Sequence, residues 1–320
     1  MKKIFIFLSL ILIFTFSCKQ NEQTKEINQI IEHIKQDNYQ EIVIKIDELI
    51  KFKDNNSRNI LHYCSINNSV NTLKHLLKHK EFKNMIDQKD KYGNSPLKLA
   101  IQKGNKDIVE LLLNNGSDIN LRDNFLGFTP IMTAAFNNKK EIVKLLYSKG
   151  ANLYDRDLQY NMSIPFWIVR KNDLEMLKFI IEEMKYKSED LKELMLEATM
   201  TPNIKEDIIE YIYHVEPTSI NYQNDENINP LMGCIISGNF KQAQLIISKN
   251  KRLSFLKDQN SCNIVDHFFM NHETERLGNL LELLHKSFSK EEMNVLITES
   301  RIYHSLSNEE RKKLWDQFFK

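Results

Sequence analysis

Three observations predict an all-α chain made of stacked copies of one short unit. The pair Ser95-Pro96 returns as Thr129-Pro130, and Gly116 returns as Gly150, each after 34 residues. With 8 Gly and 6 Pro in 320 residues, the chain is too poor in turn formers for a loop-rich β fold. Ile108, Val109, Leu111, Leu112 and Leu113 form a broad apolar stripe at helical spacing. A single unit cannot bury such a stripe, so neighbouring units must stack on it.

The N-terminal segment stands apart from the repeats. MKKIFIFLSLILIFTFSC starts with Lys2 and Lys3 and continues in a largely apolar run from Ile4 to Phe16, 13 residues long. Crossing a bilayer core of ~30 Å takes about 20 helical residues, so residues 1–17 read as a secretory signal peptide. The Ser17-Cys18 junction, followed by KQNEQTK, resembles the cleavage box of bacterial lipoproteins, where the cysteine after the cut carries lipid. The resemblance implies a lipid on Cys18 and a tether over 18–25. It departs from that box at Thr15 and Phe16, and plain secretion with Cys18 as a free thiol is the other reading. Lys19 after the cysteine favours passage beyond the inner membrane. Cleavage would remove Lys2 and Lys3 and change the formal net charge from +1 to −1. Neither value gives the basic footprint of a nucleic-acid binder.

The units follow in order. Residues 26–53, with INQIIEHIKQDNYQEIVIKIDELIKF at 27–52, read as a polar-faced helical cap or a degenerate first repeat. Asn59-Ile60 then takes the slot of Ser95-Pro96, and Ser163-Ile164, Asn229-Pro230 and Asn263-Ile264 take it again downstream. ELMLEATMTPNIKEDIIEYIY fills the gap between Ser163-Ile164 and Asn229-Pro230 with two helical patterns. Ser95 and Thr129 can cap a first helix, and Pro96 and Pro130 occupy its first position, where a missing N–H costs nothing. Ala100, Ala134 and Ala135 are small where two helices approach. Gly104 and Gly238 end the first helix in a left-handed conformation. SKEE at 289–292 and SNEE at 307–310 are capping boxes, each opening a helix. Trp315 with Phe318 or Phe319 is expected to close the core at that end, and Trp167 is expected to lie in the core.

GNSPLKLAIQKGNKDIVELLLNNGSDIN, from Gly93, and GFTPIMTAAFNNKKEIVKLLYSKGANLY, from Gly127, resemble the ankyrin repeat family, whose unit reads roughly G-x-T-P-L-H-x-A…I-V-x-L-L-L…G-A-D. The family's histidine is present at His62, and Lys98, Met132 and Phe166 stand in the equivalent places. The resemblance implies an all-α ankyrin-repeat solenoid of helix-turn-helix units with hairpin loops and helical caps at both ends. About seven repeats would span 54–290, degenerate at 191–222 and 258–290, with a C-terminal cap over 291–320.

Candidate chemistry is sparse. Cys64 and Cys234 occupy alanine slots of repeats five steps apart, too distant for a disulfide. Cys262 falls at a hairpin tip, as an exposed thiol or a simple substitution. His75 and His79 share a helix face, and neither they nor His267 and His272 have neighbours that complete a zinc site. Nothing forms a nucleophile–base–acid set, a phosphate loop or a calcium loop, and Glu182-Glu183 and Glu309-Glu310 read as helix-surface charges. No catalytic residue, metal or cofactor is therefore expected.

The ankyrin resemblance implies a protein partner met by the hairpin tips and the exposed end of the first helices. Those places hold Lys91, Tyr92 and Asn94; Phe125, Leu126, Phe128, Phe136 and Asn137; and Leu158, Tyr160, Met162, Arg170 and Lys171. Phe128 and Met162 could instead turn inward. The expected protein is a monomeric, non-catalytic binding scaffold in the cell envelope, lipid-anchored and facing the periplasm or the exterior, or else secreted. A second reading is an immunity- or stabiliser-type partner that masks one envelope enzyme or toxin, and a third is an enzyme or small-molecule site in 191–222 or in the C-terminal cap.

Overall fold

A computed structural model describes residues 28–42, 46–271 and 277–319; the signal peptide, Cys18 and His272 lie outside them. The chain divides into two compact units, Met1–Asn161 and Met162–Lys320. In both, the described residues form helices joined by turns.

In the first unit, α1 (28–35), α2 (Tyr39–Ile42) and α3 (Ile46–Lys51) precede three helix pairs. These are α4 (Ile60–Asn67) with α5 (Val70–Leu76), α7 (Pro96–Lys103) with α8 (Lys106–Asn114), and α9 (Pro130–Phe136) with α10 (Lys140–Ser148). A single turn, α6 (Lys80–Lys83), follows α5. The first helices α4, α7 and α9 pack side by side, and α5, α8 and α10 form a second row. Cys64, Ala100 and Ala134 are fully buried where the first helices meet. Side chains this small let the helix axes approach closely.

Helix starts follow the slot chemistry unevenly. Asn59 Oδ1 accepts from Leu61 N and His62 N, and Ser95 Oγ accepts from Lys98 N. Thr129 departs from the expectation: its hydroxyl is buried and caps nothing. That start rests on the extended Thr129 backbone and on Pro130. At the helix ends, Gly104 adopts φ +83° as expected. Asn68, Asn138 and Asn172 take the same left-handed conformation in the matching places, which asparagine tolerates better than most residues.

In the second unit, α11 (Ile164–Arg170) pairs with α12 (Leu174–Lys178), which runs on into a π-helical turn at Phe179–Glu183. Then come α13 (Leu191–Met200) with α14 (Glu206–Val215), α15 (Pro230–Ser237) with α16 (Phe240–Lys249), and α17 (Ile264–Asn271) with α18 (Leu277–Ser287). Helices α11, α13, α15 and α17 pack in sequence. Helices α13 and α15 approach closely at Gly233, where an added Cβ would lie 2.5 Å from Thr199 Oγ1 of α13.

The C-terminal end is α19 (Lys290–Thr298), α20 (Arg301–Ser305) and α21 (Asn308–Phe319). Both capping boxes form: Ser289 with Glu292, and Ser307 with Glu310, exchange reciprocal hydrogen bonds. Of Trp315, Phe318 and Phe319, Phe318 alone is fully buried. Trp315 is half-buried, stacked on Phe319 at 4.2 Å between ring centroids. Trp167 is also half-buried rather than core, with the Arg170 guanidinium 5.6 Å from its ring centroid. Cys64, Cys234 and Cys262 are buried free thiols, and burial raises the pKa of each. Cys262 is therefore no exposed tip thiol.

Candidate functional site: the hairpin tips and the first-helix face

The turns that precede the first helices, that of α13 excepted, share one construction. An aspartate carboxylate at the start of the turn accepts the backbone N–H groups of the residues that follow. Asp54 Oδ1 takes those of Asn56 and Arg58; Asp90 Oδ1, those of Tyr92 and Asn94; Asp123 Oδ1, those of Phe125, Leu126 and Gly127. Asp157 and Asp258 do the same, and Asn224 does it with its amide oxygen. A short side chain that hydrogen-bonds its own backbone two residues on makes such a turn in place of a regular ladder. The sequence reading followed the Ser/Thr-Pro and glycine slots and missed this aspartate, although it recurs at the same interval.

Successive tips are stitched together. Lys91 N donates to Asn56 O at 2.8 Å, and Leu158 N to Leu126 O at 3.0 Å. Arg122 Nη1 donates to Gly127 O in its own tip and to Arg156 O in the next. The motif histidine serves the same end. His62 Nε2 lies 3.0 Å from Asn94 O, while Nδ1 lies 3.2 Å from the Asn59 N–H. Nδ1 also lies 2.7 Å from Asn59 Oδ1, so both ring nitrogens are held by neighbouring groups. Burial holds the His62 pKa below its ordinary value, against a raising hydrogen bond from the Asn94 backbone.

Lys98, in the histidine slot of the next repeat, reaches Asp123 Oδ2 at 3.1 Å. Burial pushes the Asp123 carboxyl up, but Lys98 and the turn N–H groups outweigh it and leave it below the usual range. In the last copy the slot holds Asp266, and the polarity reverses. Its carboxylate accepts from Ser300 Oγ, Arg301 N and Ile302 N, as well as from Asn263 N, and thereby starts α20.

The predicted binding residues divide by exposure. Tyr92 is 58% exposed, Phe125 79%, Leu158 72% and Tyr160 50%, on three consecutive tips of the first unit. Lys91 is exposed beside them, with Nζ 5.0 Å from the Tyr92 ring centroid. Gly127 makes room for this display: an added Cβ would sit 2.5 Å from Leu158 Cγ. Asn94, Leu126, Phe136 and Asn137 are half-buried. Phe128 is a correction. It is 5% exposed and meets Phe136 edge-to-face at 5.6 Å, because the turn directs it between its own helix and the core. In the second unit, Met162 is half-buried, while Arg170 and Lys171 are exposed.

The second unit also holds a depression of about 650 Å³ lined by Phe166, Arg170, Leu196, Glu197, Met200 and Tyr222. Arg170 pairs with Glu197 at its edge. The polar residues of the last repeat, by contrast, are used internally. Asp266 is saturated by the donors above, and His267 Nε2 lies 3.2 Å from Asp258 Oδ2. Burial lowers the His267 pKa, opposed by Asp258 and Asp266. Among the described residues no three His, Cys, Asp or Glu side chains are placed to hold a metal ion, and no helix is long and apolar enough to cross a membrane.

Rows of paired helices with clamped, projecting turns define a repeat scaffold, the class of protein whose architecture serves to present a surface. A family model described as ankyrin repeats (3 copies) matches residues 30–123 and, in a second match, 84–157. Residues 30–157 are therefore ankyrin repeats, and the helix pairs of the described residues are those of an all-α ankyrin-repeat fold. The first match begins inside α1, so it takes in the helices read from sequence as a cap or degenerate repeat. No curated protein matches the chain.

Proposed function

We propose that this chain is a non-catalytic scaffold that binds a protein partner through its hairpin tips and first-helix face, held at a membrane of the cell envelope by a lipid on Cys18. The observation that carries the binding reading is the row of four exposed large apolar side chains, Tyr92, Phe125, Leu158 and Tyr160, on consecutive tips. Clustered exposed aromatics and aliphatics invite aggregation unless something covers them, and such residues dominate binding hot spots. The backbone beneath them is fixed by the aspartate clamps, so little ordering cost remains on binding. The tether reading is supported by the basic start, the short apolar run and the Ser17-Cys18 junction.

Affinity capture from envelope extract tests the binding reading, comparing the native chain with Phe125→Ala/Leu158→Ala/Tyr160→Ala. Loss of a stoichiometric protein from the variant supports it; retention of every captured protein overturns it. Cys18→Ser tests the tether separately: the variant should leave the membrane fraction, and unchanged fractionation rejects the anchor.

A further inference from the structure

We propose that the basic face of α5 and α6 is a docking surface for a membrane that carries anionic lipid headgroups. Lys74, Lys78, Lys80 and Lys83 are all exposed, and none of the four pairs with a carboxylate among the described residues. His75 and His79 lie between them, and the only acidic residue from 74 to 83 is Glu81. The acidic groups on neighbouring elements are partly engaged elsewhere. Asp87 accepts from Ser117 and Asp118 N, and Glu110 on α8 lies 3.9 Å from Lys149, whereas Asp37 stays at the start of α5 itself, accepting from Asn71 and Thr72 N. Glu41 on α2 and Asp107 on α8 are exposed, which leaves the lysines in excess.

The path of the chain indicates what this face meets. Ser69 Oγ donates to Ile34 O, so the end of α1 sits at the start of α5, and Tyr39 stacks on His75 at 5.2 Å. Eight residues of α1 span about 12 Å, and any ten-residue linker, the number from Cys18 to Ile27, has a root-mean-square reach of about 17 Å. A lipid on Cys18 would keep α5 and α6 within about 30 Å of the bilayer, near enough for this face to turn onto the surface and bring its lysines within a Debye length of anionic headgroups. This placement rests on the tether reading; the charge argument does not.

Vesicle co-sedimentation of the full chain carrying Cys18→Ser tests the proposal, with phosphatidylcholine vesicles and with 70:30 phosphatidylcholine:phosphatidylglycerol vesicles. Neutral vesicles report whatever the apolar N-terminal run contributes. Phosphatidylglycerol should raise partitioning by about tenfold or more at low salt, and most of that increment should vanish at ~0.5 M salt. Lys74→Glu/Lys78→Glu/Lys80→Glu/Lys83→Glu should abolish the increment and leave neutral-vesicle binding unchanged. Lys187→Glu/Lys241→Glu/Lys290→Glu/Lys312→Glu, which changes net charge equally, should keep most of it. The alanine versions of the first set serve if the glutamates impair folding, as judged by melting. An increment that is absent, that survives reversal of the patch, or that falls equally in both sets overturns the proposal. Failure of the tether alone would instead leave the increment intact while Cys18→Ser fractionates as the native chain does.

Discussion

Residues 123–161 and residues 184–203 occupy comparable places in their repeats, and only the first stretch carries projecting tips. In the first, Asp123 and Asp157 each clamp a turn, and the Leu158 N–H ties the two together. In the second, the chain leaves the π-helical turn and buries Tyr186. It then enters α13 with a bond from Asp190 N to Ser188 Oγ in place of a clamp. Yet α13 packs between α11 and α15 as closely as any first helix, close enough to require Gly233. Stacking and display are thus separable: the helix rows hold without the tips, and the tips supply the exposed surface.

The comparison can be broken most severely where an aspartate clamp is buried in the stack. Asp266→Ala leaves four donors around a fully buried site without their acceptor and should cost about 3 kcal/mol or more in denaturant unfolding. A loss below about 1 kcal/mol would mean that α20 does not depend on it. Asp123→Ala, at a part-exposed tip, should cost about 2 kcal/mol, whereas Ser188→Ala should stay near 0.5 kcal/mol. Equal costs would erase the distinction between clamped and unclamped turns.

Acidification sharpens the same contrast. The pKa values of His62 and His267 are lowered in the folded chain, so below about pH 6.5 the unfolded state takes up protons that the folded state refuses. Stability should therefore fall as pH drops from 7.5 towards 5. The depressed Asp90 and Asp123 carboxyls stabilise the fold above the usual carboxylate range, and that contribution goes only at lower pH. Urea unfolding at pH 7.5 and pH 5 checks this, and equal midpoints would contradict it. The smallest effect belongs to the display layer. Phe125→Ala or Leu158→Ala should shift stability by no more than about 0.5 kcal/mol while weakening partner capture.

Much of this fold was legible in the sequence because stacking constrains residue type. Ser95-Pro96, Ala100 and Gly104 recur, since cap, close contact and left-handed stop each admit few side chains. Asn68, Asn138 and Asn172 hid the same stop in a chain rich in asparagine. The tip aspartates were equally periodic, but their role depends on backbone N–H groups that a residue pattern does not display. Phe128 could not be placed from sequence. Whether a tip side chain turns in or out follows from the exact turn closed by Asp123, and its neighbour Phe125 goes the other way. Trp167 takes a slot that the ankyrin unit fills with a buried leucine, and Trp315 belongs to the terminal helix expected to close the core, but each ends half-buried against a neighbouring side chain.

Amide hydrogen exchange of the chain, free and bound to its captured partner, measures the central claim most directly. Tips that bind should gain protection at residues 90–94, 123–128 and 157–161, with α13 and α14 unchanged. Protection confined to α13 and α14, or to the second helices α5, α8 and α10, would contradict the assignment of the binding surface.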